Sequence, residues 1–212
     1  MWPSSSMRRL MPVAVVILTL FAACGETAQP PAPPGPRLPF PPVAQEPGAS
    51  PAGDEPAGRV VRVGKGAEGI AVDPASGVAA IATDAGLALV DAATGESRTV
   101  VELPAPARHV SFSGTWFLVP LEEANQLAEI SPDGERRLTD TGAHPHDAAA
   151  DADGRIFVGD EFAASLTVLD DGRLERTIKV AEQPGGVVVA GDVVAVVSVR
   201  ANVVETYDRR TL

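Results

Sequence analysis

The residues best suited to chemistry lie together in one short segment, His144, Pro145, His146 and Asp147. Two imidazoles and a carboxylate within four residues could hold a divalent metal ion or act as acid and base. No HExxH motif, paired CxxC motif or other spaced metal motif accompanies them. Three interpretations stay open from the residues alone: metal or catalytic use, ligand binding without chemistry, and a solvated turn.

The segment that carries these residues has the pattern of a small antiparallel sheet. A turn with the sequence DADG at residues 151–154 lacks the remaining ligands and the closing Glu of a calcium loop, so it is interpreted as a hairpin turn. Short runs rich in branched or small residues lie between such turns and predict four strands, at residues 148–150, 155–159, 166–169 and 174–180.

The same plan recurs along the chain at a nearly constant interval. Equivalent positions in the openings of successive units are 40, 38 and 39 residues apart, and the ends of the third strands repeat with almost the same steps. These openings lie at residues 67–73, 107–113, 145–151 and 184–190. A period near 40 with four strands per unit predicts an all-β fold, a β-propeller of four-stranded antiparallel blades around a central channel.

The repeat array predicts about four blades over residues 59–212. The expected inner strands are residues 70–73, 110–113, 148–151 and 187–190. Residues 59–63 align with the outer strands, and the last unit stops after its third strand, so an N-terminal strand could complete the last blade. The repeats look like those of six- or seven-bladed rings, which favours a fragment of a larger ring over a complete four-bladed one.

Composition limits the classes of partner. The chain has 212 residues and a formal net charge of −11 at pH 7. An acidic surface argues against nucleic acid or anionic lipid as an electrostatic partner. The chain has a single cysteine, Cys24, so an intrachain disulfide is excluded.

The N-terminus has the pattern of a secretory leader. Arg8 and Arg9 precede an apolar run at residues 11–23, which is too short to span a bilayer as a helix. The run ends at Cys24 and resembles a bacterial lipoprotein signal peptide, although Phe21 departs from the usual aliphatic residue. That resemblance implies a lipidated Cys24 and a protein anchored to the cell membrane, facing the periplasm or the cell exterior. An ordinary cleaved leader is the alternative.

Three segments follow from these features: a signal peptide at residues 1–23, a linker at 24–58 and the repeat domain at 59–212. Residues 26–58 contain eleven prolines and one aromatic residue, Phe40. Such a composition cannot bury enough surface to fold and favours extended conformations, so the linker is predicted to be a disordered spacer.

The units resemble the YVTN or NHL-type repeats of bacterial extracytoplasmic propellers, known as YncE-like or lactonase-like proteins. The resemblance covers the whole array and rests on the openings AEGIAVD (67–73) and PGGVVVA (184–190) and on VDAATGE at residues 90–96. It implies the fold rather than one activity, because these families include binding proteins, hydrolases, lyases and electron-transfer partners.

In a propeller, the loops that enter the inner strands share one face with the loops between the second and third strands. Carboxylates of the second set, Glu122 and Glu161 among them, would meet there the candidate ligand-binding residues Glu68, Arg108, His109, His146 and Asp147. The main hypothesis is a lipid-anchored propeller that binds a small molecule or a protein at this channel-mouth face. The alternative is a metal-dependent lactonase-like hydrolase or lyase that uses a divalent metal ion, with Glu68, His146 and Asp147 as candidate ligands.

Overall fold

The computed structural model describes residues 57–212 of the chain. The predicted signal peptide, Cys24 and nearly all of the predicted linker lie outside these residues. Within them, no helix is long and apolar enough to cross a membrane.

The described residues form four antiparallel sheets in which sequence neighbours pair. The first sheet contains β1 (Ile70–Asp73), β2 (Val78–Thr83), β3 (Gly86–Asp91) and β4 (Ser97–Val101). The second contains β5 (Ser111–Phe112), β6 (Phe117–Leu121), β7 (Gln126–Ile130) and β8 (Arg136–Asp140), with a 3-10 helix, Glu122–Ala124, between β6 and β7. The third contains β9 (Pro145–Ala150), β10 (Ile156–Asp160), β11 (Ser165–Asp170) and β12 (Arg173–Lys179). The fourth contains β13 (Pro184–Ala190), β14 (Val193–Ser198) and β15 (Val203–Asp208).

This architecture confirms the predicted all-β class and the four-stranded unit. Aspartates close the turns, as the sequence indicates: the Asp73 carboxylate accepts a hydrogen bond from the Ala75 backbone N–H, at 2.9 Å. The Asp151 carboxylate accepts one from the Asp153 N–H, also at 2.9 Å. Such aspartate turns return the chain at once to the neighbouring strand, which produces up-and-down sheets.

The core lies between neighbouring sheets, because side chains alternate between the two faces of each strand. Ile156 and Val158 of β10 pack with Leu118 of the second sheet. Phe157, between them in sequence, packs with Val187 of the fourth sheet and is fully buried. The central strands of the first three sheets therefore bury both faces, which explains why their sequences are continuous apolar runs.

The inner strands of the first two sheets approach each other very closely. Gly69 precedes β1, and a Cβ atom at this position would clash with the backbone carbonyl of Arg108. Because only glycine lacks that atom, the sequence permits this contact. The approach brings the segment before β1 beside the segment before β5.

The two ends of the array do not close into a ring. The fourth sheet has three strands, and residues 59–63 form no strand. The expected completion of the last blade by these residues is wrong for this structure, because they are attached to the first sheet. The Arg59 guanidinium donates to the carbonyls of Ala93 and Thr94, and Val63 packs against the first sheet near Ile81.

The outer face of the fourth sheet is consequently uncovered. Val188, Val197 and Val204 are 57%, 42% and 65% exposed. On the corresponding face of the third sheet, Phe157 and Leu166 are buried by the fourth sheet. The fourth sheet thus presents to solvent the face that the preceding sheets use for packing.

Candidate functional site

All three histidines of the chain lie at one end of the sheets. His109 precedes β5, His144 precedes β9, and His146 is the second residue of β9. The connections from β6 to β7 and from β10 to β11 end at the same side and contribute Glu122 and Glu161. The up-and-down order of the strands causes this convergence, since alternate strand ends meet on one side of each sheet.

His109, Glu122 and His146 form the tightest group, called here the His–Glu cluster. One ligand atom from each of the three side chains lies within 4.8 Å of the other two. His146 Nδ1 is 3.0 Å from Glu122 Oε1, and the rings of His109 and His146 are 4.5 Å apart between centroids. All three residues are half-buried, so the cluster is sheltered but open to solvent.

A second carboxylate, Glu161, lies beside the cluster and makes further polar contacts. Glu161 Oε2 is 3.0 Å from His144 Nδ1 and 3.7 Å from His146 Nδ1. Glu161 Oε1 accepts a hydrogen bond of 2.6 Å from the Gln183 amide. His144 Nε2 is also 3.6 Å from Glu122 Oε2, so the two carboxylates and two of the imidazoles form one network.

His144 is held in an unusual backbone conformation. Its φ of 58° lies in the left-handed region, which is uncommon for a residue with a side chain. Its backbone N–H donates to Asn125 Oδ1 at 2.8 Å, and its ring stacks on Phe162 with 4.1 Å between centroids. These contacts fix the imidazole beside Glu161.

The two imidazoles of the cluster differ in their tendency to hold a proton. Burial, together with the neighbouring charge of His146, lowers the pKa of His109 below its usual 6.5. The hydrogen bond to Glu122 raises the pKa of His146, and this effect outweighs burial. Burial acts to raise the pKa of Glu122, but the bond from His146 and the nearby charge of His144 bring it below its usual value. These shifts favour the neutral form of His109 and the protonated form of His146 beside an ionised Glu122.

The cluster fits a borderline divalent metal ion. Two imidazoles and one carboxylate are a common zinc donor set, and three protein ligands leave a fourth position for water or another ligand. The lowered pKa of His109 favours its neutral ring, which has a nitrogen lone pair available for coordination.

The structure distributes the residues predicted for the site over different roles. Glu68 is 3.1 Å from Arg108 Nε, and Arg108 Nη1 is 3.9 Å from Glu122, so this pair borders the cluster. The Asp147 side chain bonds to the backbone of the fourth sheet, where its Oδ2 accepts a 2.9 Å hydrogen bond from the Val187 N–H. Of the predicted metal ligands Glu68, His146 and Asp147, only His146 belongs to the His–Glu cluster.

Two of the three cluster residues were not among the predicted metal ligands. The available signal was the repeat alignment, which places His109 and Glu122 at loops of the blade before His146. Asp160 is fully buried at the same end, where its carboxylate accepts hydrogen bonds from Ser165 and Thr167 at 2.7 Å each. It therefore supports the β10–β11 connection rather than the cluster.

No protein-family model matches the sequence, and no curated protein matches it. Several solved structures are similar to this chain. Hydrazine synthase of Kuenenia stuttgartiensis is similar with a TM-score of 0.63 and 18% identity, over 75% of this chain and 50% of that one. BamB from Moraxella catarrhalis is similar with a TM-score of 0.58 and 22% identity, over 69% and 48%. Streptogramin B lyase is similar with a TM-score of 0.54 and 13% identity, over 70% and 56%.

The fold is that of a β-propeller. The four sheets are its blades, and BamB and streptogramin B lyase are neighbours of the same architecture. Sequence identities this low indicate a shared fold and do not indicate a shared activity. The chain spans about half the length of these structures, as the covered shares of 50%, 48% and 56% indicate.

Proposed function

We propose that this protein is a lipid-anchored, extracytoplasmic β-propeller that binds a divalent transition-metal ion of the zinc type at its channel-mouth face. The observation that carries the proposal is the His–Glu cluster, in which the ligand atoms of His109, Glu122 and His146 lie within 4.8 Å of one another. Imidazole and carboxylate together favour zinc and similar ions over calcium or magnesium, which prefer oxygen ligands alone.

Metal binding at this cluster competes with a proton. His146 must be neutral to coordinate, and its hydrogen bond with Glu122 raises its pKa and favours the protonated form. An incoming cation replaces that proton and pairs with the negative charge of Glu122. Affinity should therefore fall as the pH is lowered through the pKa of His146, and binding should release a proton into the solvent.

Further groups shape what else the face can accept. The open fourth position would hold water or a small ligand with an oxygen or nitrogen donor. The Arg108 guanidinium, 3.1 Å from Glu68 and 3.9 Å from Glu122, borders this position. A small ligand bound through the metal is thus the form of ligand binding that this geometry favours.

A metal-dependent hydrolase or lyase is the second candidate function. The observation in its favour is His144 Nδ1, 3.0 Å from Glu161 and next to the cluster, which offers an acid–base group beside an open metal position. A metal there would polarise a carbonyl group of a substrate. Hydrolysis of a model lactone that depends on added zinc and is lost in His144→Ala would select this candidate.

The metal proposal is tested by calorimetric titration of zinc chloride into the full chain carrying Cys24→Ser, which removes the only thiol. His109→Ala, Glu122→Gln and His146→Ala should each weaken binding by about tenfold or more, since each removes a ligand. Glu123→Gln is the matched control, because this exposed neighbour of Glu122 is outside the cluster. Absence of saturable binding, or equal binding by all variants, would refute the proposal.

The anchor has its own test. Cys24 follows the leader-like segment and is the only cysteine, which supports lipidation at this residue. The wild type should fractionate with membranes, and Cys24→Ser should be released. Membrane association that is unchanged in Cys24→Ser would contradict the lipid anchor while leaving metal binding untouched.

A further inference from the structure

A separate cavity lies at the opposite end of the sheets, between the second and third blades. Its volume is about 220 Å³. The turns that enclose it join first to second strands and third to fourth strands, whereas the His–Glu cluster lies at the other set of connections. Its lining includes Trp116, Glu129, Arg137, Asp153, Asp171 and Gly172.

Two buried polar atoms of this lining lack a partner. Glu129 Oε2 and Arg137 Nε are the buried side-chain nitrogen or oxygen atoms without a hydrogen bond among residues 57–212. Glu129 is only 1% exposed. An unsatisfied buried polar group is unfavourable, so a molecule that supplies the missing bonds binds favourably. These two unpartnered atoms in the cavity wall therefore favour a bound ligand.

The remaining atoms of the same two side chains are well bonded, which fixes the free atoms in place. Glu129 Oε1 accepts a 2.7 Å hydrogen bond from Arg137 Nη2. The Arg137 guanidinium lies over the Trp116 ring at 4.1 Å and is 3.5 Å from Asp171. Gly172 lies directly beside the free oxygen, because a Cβ atom there would lie 3.2 Å from Glu129 Oε2.

The free atoms define the chemistry of the occupant. Glu129 Oε2 requires a hydrogen-bond donor, and Arg137 Nε requires an acceptor. The charges of Glu129 and Arg137 already neutralise each other across 2.7 Å, so the buried wall favours a neutral group. A hydroxyl group is both donor and acceptor and satisfies the two atoms together. Exposed carboxylates at the rim, Asp153 and Asp171, offer acceptors for further hydroxyl groups.

We infer that this cavity, called here the Trp116 cavity, binds a small neutral polyhydroxylated ligand of the monosaccharide class. One ligand hydroxyl donates to Glu129 Oε2, and an adjacent ligand oxygen accepts from Arg137 Nε. The indole of Trp116 forms part of the wall and reports on occupancy. The inference is independent of the metal proposal, because the two sites share no residue.

The test is a fluorescence titration of the full chain carrying Trp2→Phe, in which Trp116 is the only tryptophan. The probes are D-glucose, D-galactose and N-acetylglucosamine, with methylammonium chloride as the cationic comparison. A saturable change in Trp116 emission with at least one sugar is expected. Saturation by methylammonium alone, or by none of the four probes, would overturn the inference, since a cation or only water would then satisfy the cavity.

Variants locate the binding. Glu129→Gln is isosteric and should weaken sugar binding at least fivefold, because it replaces one carboxylate oxygen by a donor. Glu135→Gln, an exposed residue of the β7–β8 turn, is the matched control and should bind as the parent does. Should Glu129→Gln fail to fold, Asp171→Asn replaces it, since Asp171 is an 85% exposed side chain with a φ that asparagine tolerates. Unchanged affinity in the folded variants would refute the assignment.

Discussion

Replacing Asp147 with alanine should destabilise the fold and leave metal binding intact, although the sequence pattern places Asp147 beside His146. Asp147 Oδ2 accepts a 2.9 Å hydrogen bond from the Val187 N–H of the next blade. Its Oδ1 accepts another 2.9 Å bond from the Ala148 N–H. The substitution therefore removes a connection between the third and fourth blades.

The size of the effect follows from these two bonds. A hydrogen bond to a charged group contributes about 1.5–3 kcal/mol, and the Ala148 bond adds little because it is local and can also form in the unfolded chain. We expect the free energy of unfolding to fall by about 2–3 kcal/mol. For a folded part of this size, each kcal/mol lowers the Tm by roughly 2–4 °C, so a decrease of about 4–12 °C is expected.

The assay pairs thermal unfolding with zinc titration on two variants in the Cys24→Ser background. Asp147→Ala should show the lower Tm with zinc affinity within about threefold of the parent, because Asp147 is outside the His–Glu cluster. Glu122→Gln should show the reverse, with reduced affinity and a smaller change in Tm. Loss of zinc binding in Asp147→Ala with an unchanged Tm would refute this assignment of roles.

Three further predictions follow from the contacts. The pKa of His146 should fall in Glu122→Gln, because the hydrogen bond to Glu122 is the main cause of the raised value. NMR titration of the imidazole Cε1–H measures this pKa. Because the folded-state pKa is raised, the stabilisation by this hydrogen bond is full below pH 6.5 and is lost as pH rises through the folded-state pKa. Phe157→Ala should lower the free energy of unfolding by about 3–5 kcal/mol in urea, since this side chain fills the core between two blades; a loss below 1 kcal/mol would contradict that packing. The uncovered face with Val204, 65% exposed, should cause concentration-dependent association in sedimentation experiments, and Val204→Lys should reduce it; equal association of both proteins would place the contact elsewhere.

The fold was largely predictable because its determinants are local. The strands read as apolar runs between aspartate and glycine turns, and the repeat interval fixed how many such units follow one another. The structure confirms the sheets, with shifted bounds for the inner strands: β5 is only Ser111–Phe112, and β9 begins earlier, at Pro145. Bounds depend on hydrogen bonds to a neighbouring strand, which a single strand's sequence does not contain.

The ends of the array depend on contacts that the repeat pattern does not encode. Residues 59–63 align with outer strands, yet Arg59 bonds to carbonyls of the first blade and Val63 packs on that blade. The repeat alignment compares each strand with its equivalents and contains no information on where a terminal segment attaches. The position of this segment is therefore a result of tertiary structure.

The membership of the candidate site shows the same division between local and tertiary information. The sequence determined that the three histidines and several carboxylates gather at one end of the blades. It also suggested Asp147 and Glu68 as metal ligands together with His146. Adjacent residues of a strand point to opposite faces, so Asp147 reaches Val187 of the next blade while His146 meets Glu122, 24 residues earlier in the chain. Only the packing of one blade against the next decided which carboxylate lies within 3.0 Å of that imidazole.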